Sequence, residues 1–445
     1  MRISISKHCE NISKLLGSKG VFYVKGAETS IHPDSDTELN FFQDSNMTYV
    51  SGVYEPGFEF LYDMNSKRSI LFAPFVSADE AVWIGPQPSL SDYKNKYGAD
   101  HIYYTNDFST VVNDINPEMI YRIDYQSDSS LSKVKAKIDS TKLIDAIHEA
   151  RVFKEAEEIE LMKKVNSISG KAHIDLMKQN LIGKNERNLY SKFVHHILDE
   201  GCEREAYTTI VGSGRNSAIL HYIRNNANIT ENSELVLVDA GGSYRGYASD
   251  ITRTWPVGKH FSPEAKQIYQ IVLDMQEAVI LAAKPGVQWE DMHILANKVA
   301  AEGLLKLGIL KGNLDSILES FVVGYFFPHG LGHFLGIDTH DCGGYPKGVE
   351  RINKPGLRYL RVRRELKEGM VLTVEPGLYF VSDLINEAKN TQSISQFIDF
   401  DMVDKYFKIG GVRIEDNIVI TSTGNFNLTN VPKQVLDIEQ LRCTA

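Results

Sequence analysis

No stretch constrains this chain more than residues 235–257, LVLVDAGGSYRGYASDITRTWPV. Two apolar arms, residues 235–238 and 251–257, flank a Gly/Ser/Tyr/Arg/Gly tip, and each arm abuts an aspartate, which is the pattern of a β-hairpin. A turn over Ser243-Tyr244-Arg245-Gly246, with glycine last, pairs Ser243 with Gly246 and, carried down the ladder, Asp239 with Asp250. Directly opposed side chains lie about 5 Å apart at Cβ, where two ionised carboxylates repel each other. A pair of metal ions about 3.5–4 Å apart would relieve that repulsion. Hairpin aspartates more often face solvent, so the remainder of the chain has to decide.

With 445 residues, 42% of them hydrophobic and 24% charged, the chain can bury two or three ordinary cores. Its net charge of −10, without a basic stripe, excludes nucleic acid as a main partner, because a phosphate backbone demands such a stripe. No apolar run reaches the roughly 18 residues of a membrane span, and the opening MRISISKHCENISKLLG has no apolar signal-peptide core. A cytoplasmic protein without membrane contact is the expectation. Cys9, Cys202, Cys342 and Cys443 are scattered and read as reduced thiols, neither a disulfide frame nor a zinc site.

Residues 1–125 read as a smaller mixed α/β domain with strands over 20–26, 47–53, 58–64, 69–75 and 81–86. The polar segment 126–150 reads as a linker. The second domain, 151–445, opens with a helix from about Lys154 whose Ile159, Met162 and Val165 share a face. Ser262-Pro263-Glu264 is a helix start with Ser as N-cap and Pro in the first turn, and a second helix follows from Trp289 to Leu307. His293 on that helix reads as a packing residue. The run 382–407 reads as an insertion on the outside.

Chemistry concentrates further on. PHGLGHFLGIDTHD (residues 328–341) carries three histidines among glycines that permit close backbone approach. MVLTVEPG (residues 370–377) reads as a strand that ends on Glu375 at a Pro-Gly turn. GVRIEDNIVI (residues 411–420) reads as one strand with Arg413 and Glu415 on a common face. Asp239, Asp250, His333, Glu375 and Glu415 thus stand at strand ends or on inward faces. Four carboxylates and one imidazole form a hard, oxygen-rich donor set that suits Mn²⁺ most, with Co²⁺ or Zn²⁺ possible. Two divalent ions would cancel the four charges and acidify a bridging water into a hydroxide nucleophile, so such a site hydrolyses its substrate.

Taken in order, DAG with an aspartate eleven residues after the first, HGLGHFLG, TVEPG and GVRIED resemble the pita-bread metallopeptidases, and among them the eukaryotic-type prolidase (Xaa-Pro dipeptidase) branch. The resemblance implies an α+β fold class: a C-terminal pita-bread (creatinase/aminopeptidase) domain with a curved antiparallel sheet covered by helices, and an N-terminal creatinase-like domain. It implies that Asp239 and Asp250 are bidentate and bridging ligands, that His333 and Glu375 complete one metal, and that Glu415 bridges both. By the same resemblance Glu375 also carries the proton to the leaving imide nitrogen, His221 and His340 contact substrate and oxyanion, His329 supports the site, and Tyr207 meets the substrate. A homodimer is implied as well, in which the N-terminal domain, with Trp83, reaches over the partner's active site.

Substrate choice turns on residues 348–361, GVERINKPGLRYLR, which resemble a prolidase loop. A dipeptidase has to recognise a free carboxylate beside the scissile bond, and a guanidinium does so with paired hydrogen bonds. Arg361 is the candidate clamp, assisted by Arg413, while Arg358, Arg363 and Arg364 read as a solvated face. The expected reaction is hydrolysis of Xaa-Pro dipeptides with a trans-prolyl or similar imino acid at the C-terminus. The alternatives are an aminopeptidase P acting on longer Xaa-Pro peptides and an inactive pita-bread binding module. After His221-Tyr222 the chain has Ile223-Arg224-Asn225-Asn226 where the family often has Gly-His, which alters that side of the pocket.

Overall fold

The computed structural model describes residues 4–17, 19–127 and 129–444. It resolves into two compact units, one ending at Arg151 and the other beginning at Val152.

The first unit is built on a six-stranded sheet. Its strands are β1 (Val21–Lys25), β2 (Glu59–Asp63), β3 (Arg68–Ala73), β4 (His101–Tyr104), β5 (Met119–Arg122) and β6 (Lys137–Asp139), in the order β4-β3-β2-β1-β5-β6. The segment expected to be a linker is structured, because Lys137–Asp139 adds in parallel to β5 and the helix Leu143–Val152 follows it. Two expected strands are helices. Residues 47–53 fall in Ser45–Ser51, where Asp44 accepts from the Asn46 and Met47 amides and Gly52 closes the end in a left-handed conformation. Residues 81–86 fall in Ala78–Ile84, started by a capping box between Ser77 and Glu80. In both places the end signals outweigh the β-branched and aromatic content that favoured a strand. Trp83 is exposed on the second of these helices.

The second unit carries the hairpin. Its strands are β7 (Arg204–Glu205), β8 (Ile210–Ser213), β9 (Leu235–Asp239), β10 (Gly242–Tyr244), β11 (Tyr247–Ala248), β12 (Thr252–Pro256), β13 (Val371–Val374), β14 (Gly377–Tyr379), β15 (Gly411–Arg413), β16 (Asp416–Ile420) and β17 (Asn425–Asn427). They form short antiparallel sheets, β12-β9-β8, β11-β10-β7, β13-β16-β17 and β14-β15. The helices Ala156–Met177, Glu186–Asp199, Pro263–Ala282 and Trp289–Lys306 bury their apolar faces in one continuous core with these strands. Ser262 caps the third of them as expected, its Oγ accepting from the Ala265 amide. Ile268, Val272, Met275 and Val279 of that helix are fully buried, each contributing about 1.5–3 kcal/mol. His293 is a packing residue, buried with its ring 5.0 Å from that of Phe327.

The hairpin exists, but its turn lies one residue later than expected. Tyr244 pairs with Tyr247, and the two residues between them, Arg245 (φ 48°) and Gly246 (φ 82°), both have positive φ, the requirement of a type I′ turn that matches strand twist. Asp239 therefore faces Thr252, and continuation of the same register sets Asp250 against Gly241. The slip from the expected pairing is two residues. An even slip preserves side-chain parity, so both aspartates stay on one face.

Two further expectations need correction. Residues 411–420 are not one strand: the chain leaves its β14 partner after Arg413 and takes β13 as its new partner from Asp416. Residues 382–407 are not an external insertion. They fold as helices over Ser382–Asn390, Gln392–Ser395 and Phe400–Tyr406, with Ile385, Ala388, Ile394, Ile398 and Val403 in the core. No helix among the described residues is long and apolar enough to cross a membrane.

A buried ionic cluster ties the hairpin to the C-terminal strands. Arg253 is fully buried, donates to Asp416 Oδ1 at 2.6 Å and satisfies its other donors on the carbonyls of Thr252, Glu415, Val431 and Pro432. Lys433 Nζ reaches the other Asp416 oxygen at 2.7 Å. Removing one member of such a cluster leaves an uncompensated buried charge. Asp416→Ala is therefore expected to lower folding stability by about 3–5 kcal/mol, measured as a shift of the urea midpoint at constant slope; a change under about 1 kcal/mol, the size of a surface pair, would show that the cluster does not carry this load.

Candidate metal centre

One cavity of about 870 Å³ in the second unit is lined by every residue singled out above: Tyr207, His221, Asp239, Asp250, His329, His333, His340, Arg361, Glu375, Arg413 and Glu415. Its acidic side chains come from places where strands end or change partner. Asp239 ends β9, Asp250 lies between β11 and β12, Glu375 between β13 and β14, and Glu415 between β15 and β16. His333 comes from residues 331–335, which run antiparallel to β13, with Thr373 N–H bonded to His333 O and Glu375 N–H to Leu331 O. Gly332 is required there, since a Cβ at that position would lie 2.0 Å from the Thr373 carbonyl oxygen.

The electrostatics of this cluster call for cations. His333 Nδ1 is 3.0 Å from the Phe334 carbonyl, which can only accept, so the neutral ring carries its proton there. Its Nε2 lone pair then faces Asp250 Oδ2 at 3.4 Å and Glu375 Oε1 at 3.3 Å. Burial lowers the His333 pKa to about 4, which keeps the ring neutral at pH 7. A lone pair against two carboxylates is repulsive unless a cation joins them. Glu415 Oε1 is buried without a hydrogen-bond partner, while its Oε2 accepts from Thr252 at 2.7 Å. One donor atom each from Asp250, His333 and Glu415 lie within 4.8 Å of one another. This donor set fits hard or borderline divalent ions.

Without cations, the carboxyls take up protons. Burial and then Asp239 push Asp250 well above the usual range; burial and then Asp250 do the same to Glu415, and burial and then Glu415 to Glu375. The single Tyr207 hydroxyl lies 2.6 Å from both Asp239 Oδ1 and Asp250 Oδ1. Tyr207, expected to meet the substrate, is thus a clasp between two ligands, and it has one proton to offer them.

Arg413 is occupied by the protein itself. Buried, it donates to Asp239 Oδ2 at 2.6 Å, to the Tyr379 hydroxyl at 2.9 Å and to Thr252 Oγ1 at 3.1 Å. Tyr379 in turn donates to His329 Nε2 at 2.9 Å, and His329 Nδ1 is bonded to the Gly330 carbonyl at 2.8 Å. Burial and then Arg413 lower the His329 pKa to about 3. The second histidine row is open: His221 and His340 are exposed on the cavity wall, with the His340 ring perpendicular to His333 at 4.4 Å. Enclosure by the cavity, then His333 and Arg361, lower the His340 pKa to about 3, so it is a neutral hydrogen-bond donor at pH 7. Arg361 is exposed on the same wall, and among the described residues no hydrogen bond or ion pair binds its guanidinium. Arg363 and Arg364, expected to be solvated, are half-buried and bonded to Glu290 and to the Gly343 carbonyl.

Sequence reasoning missed Tyr379, Thr252, Thr373 and Asn417. Period-2 counting from the candidate ligands marks all four, since Thr373 precedes Glu375 by two residues and Tyr379 follows it by four, while Thr252 and Asn417 follow Asp250 and Glu415 by two.

Residues 160–422 match the family described as metallopeptidase family M24, and residues 6–121 match the aminopeptidase P N-terminal domain. A human protein named Xaa-Pro dipeptidase is 39% identical over 446 residues, spanning 97% of this chain and 90% of its own length. A protein of Sordaria macrospora named probable Xaa-Pro aminopeptidase is also 39% identical, over 435 residues, spanning 96% of this chain and 92% of its own. Among solved structures, a variant of Escherichia coli aminopeptidase P in complex with substrate superposes with a TM-score of 0.84 at 30% identity, covering 100% of this chain and 99% of that one.

The raised carboxyls fix a pH dependence. In the absence of cations the folded chain holds protons that the unfolded chain releases above about pH 4–4.5, so the stability of the metal-free protein falls as pH rises from there towards neutrality. Divalent cations displace those protons and flatten the slope. Thermal unfolding from about pH 5 to 8, with chelator and with Mn²⁺, checks this; a metal-free stability that stays level or climbs would overturn the reading of the cluster.

Proposed function

We propose, given that this chain belongs to metallopeptidase family M24, that it hydrolyses Xaa-Pro dipeptides with two divalent cations, Mn²⁺ foremost, held by Asp239, Asp250, His333, Glu375 and Glu415. The observation that carries the dipeptide reading is Arg361: a guanidinium on the wall of the cavity, with no partner among the described residues, lines the same space as the ligand cluster. A free C-terminal carboxylate next to the scissile bond is the group it fits, through two parallel hydrogen bonds. Arg413 is committed to Asp239 and Tyr379, and its part is to orient a ligand.

When bound, the cations supply charge neutralisation and a water acidified toward neutrality. The chain does the rest. Glu375 takes the proton of the attacking water and delivers it to the proline nitrogen as the C–N bond breaks, and its position beside His333 and Thr373 keeps that carboxyl at the cavity surface. His340, neutral at pH 7, and His221 offer N–H donors to the oxyanion that forms on the substrate carbonyl. The exposed apolar side chains of Ile219 and Ile223 line the cavity mouth, which keeps bulk water from the reacting bond.

A second reading, an aminopeptidase acting on longer peptides, has two supports. The cavity of about 870 Å³ has room beyond a dipeptide, and the fold matches aminopeptidase P throughout. One substitution separates the readings. Arg361→Ala is expected to lower kcat/KM on Ala-Pro by about 10- to 100-fold, the loss of ~1.5–3 kcal/mol of charge-assisted hydrogen bonding, and to leave Ala-Pro-Ala nearly unchanged; equal losses on both would favour the aminopeptidase. A binding protein without activity is the third possibility, and metal analysis addresses it. Wild type is expected to bind two Mn²⁺ and Asp250→Asn to lose metal and turnover together, whereas a wild type that binds no divalent cation and cleaves neither peptide would be a binding module.

A further inference from the structure

The hairpin strand that carries Asp250 lies beside β16, but the two part company at this residue. In the hairpin register, the Ala240 amide bonds to the Ile251 carbonyl and the Ser249 amide to the Gly242 carbonyl. Asp250, between them, belongs to a pair that exchanges no backbone hydrogen bonds, so its own N–H and C=O point away from β9. On that outer side the chain at Glu415 still behaves as a neighbouring strand, its amide donating to the Thr252 carbonyl at 3.0 Å. Two residues later the partnership is gone. Asn417 pairs with Thr373 of β13, its amide donates to Thr429 Oγ1, and its carbonyl accepts from the Leu428 amide. The backbone of Asp250 would be left buried and unbonded, at a cost of about 1–3 kcal/mol per group.

The carboxamide of Asn417 fills that gap. Its Oδ1 accepts from the Asp250 amide at 3.0 Å and its Nδ2 donates to the Asp250 carbonyl, the two bonds that a strand backbone would have made. Asn417 is itself fully buried. Only a side chain with one donor and one acceptor in a fixed plane can replace a peptide group in this way; a carboxylate lacks the donor and alanine lacks both.

We infer that Asn417 is a positioning residue for the metal centre: its carboxamide stands in for the missing strand, fixes the peptide of Asp250, and so holds that carboxylate in the orientation that two cations require. It touches neither substrate nor cations. Its cross-strand neighbour Thr373 serves the opposite side of the site, taking the His333 amide on Oγ1 at 3.0 Å and facing Glu375 Oε1 at 3.4 Å. One cross-strand pair thereby steadies ligands from three separate segments. The inference rests on the metal centre of the preceding subsection, and not on the choice between dipeptides and longer peptides.

Asn425 provides a matched control. It lies in the same sheet, and its carboxamide also clips backbone, donating to the carbonyls of Ile280 and Ala283, with no part in the ligand cluster. Mn²⁺ binding to the full chain is measured by calorimetry for wild type, Asn417→Ala, Asn417→Asp and Asn425→Ala, together with the visible spectrum of each Co²⁺-loaded form. Both Asn417 variants are expected to bind the weaker of two cations at least about tenfold less tightly and to shift the Co²⁺ bands, whereas Asn425→Ala loses melting temperature but retains wild-type affinity and spectrum. Asn417→Asp keeps the shape and the acceptor, so it carries the test if the alanine variant does not fold. Wild-type affinity and spectrum in the Asn417 variants, or an equal loss in Asn425→Ala, would overturn the inference and leave the metal centre standing. Absence of Mn²⁺ binding by wild type would overturn the metal centre and the inference with it.

Discussion

Several carboxylates gathered around the lone pair of a buried imidazole, in one cavity, form the constraint on which the remainder of this structure depends. Like charges at such range favour either protonation or cations. The fold also has to hold its acidic side chains close against their mutual repulsion, and no single strand can do this because alternation sends every second side chain to the other face. The solution is to draw ligands from five different places where regular pairing is interrupted: the end of β9, the β11–β12 junction, the glycine-rich segment opposite β13, the β13–β14 junction and the β15–β16 junction. Interrupted pairing frees the ligand side chains to converge, and it also frees backbone groups that need new partners. The side chains of Thr254, Thr373 and Asn417 supply several of those bonds. The apolar faces of the helices behind the sheets supply the rigidity that holds the arrangement in place.

The candidate ligands are more legible in the sequence than the geometry around them. Asp239, Asp250, His333, Glu375 and Glu415 carry unusual chemistry at positions where an apolar run stops, and that contrast is local. The two-residue turn sits one residue later than expected, because Gly246 can serve either as the last residue of a turn over 243–246 or as the second central residue of one over 244–247; φ > 0 at both Arg245 and Gly246 decides for the latter. Parity rescued the conclusion. In the first unit, residues 47–53 and 81–86 went astray because composition was weighed and helix ends were not, although Asp44, Ser77 and Glu80 were in plain sight. Tyr379 and Asn417 were harder. Their roles come from contacts between segments that are 34 and 167 residues apart, and no window along the chain contains both partners.

The two arginines illustrate the same limit. From the sequence, Arg361 and Arg413 looked like cooperating clamps for one carboxylate. Burial divides them. Arg413 is enclosed and surrounded by Asp239, Tyr379 and Thr252, and a guanidinium so placed gives up hydration that it recovers only through those acceptors. Drawing it toward a substrate would leave Asp239 without its partner. Arg361, exposed and without a partner among the described residues, has no such bond to give up.

Charge balance extends this distinction to the substrate. Asp239, Asp250, Glu375 and Glu415, when ionised, contribute four negative charges, and Arg413 returns one positive charge within hydrogen-bond distance of Asp239. Two divalent cations would overcompensate the cluster by one positive charge, a bridging hydroxide would cancel that excess, and the cavity wall adds one charge of each sign, Asp383 and Arg361. With the cluster balanced and the histidines held neutral by pKa values near 3 to 4, the positive field that a substrate anion would meet on the wall is that of Arg361. The carboxylate of a C-terminal proline lies one residue from the scissile bond, close enough for that field to act on it. In a longer peptide the same position is a neutral amide, and the free carboxylate lies farther from the cluster, where its interaction with the field is weaker. Under the proposed dipeptide reading, discrimination between short and long substrates would therefore rest on the position of one guanidinium relative to the substrate carboxylate, and not on an excess of charge in the cluster.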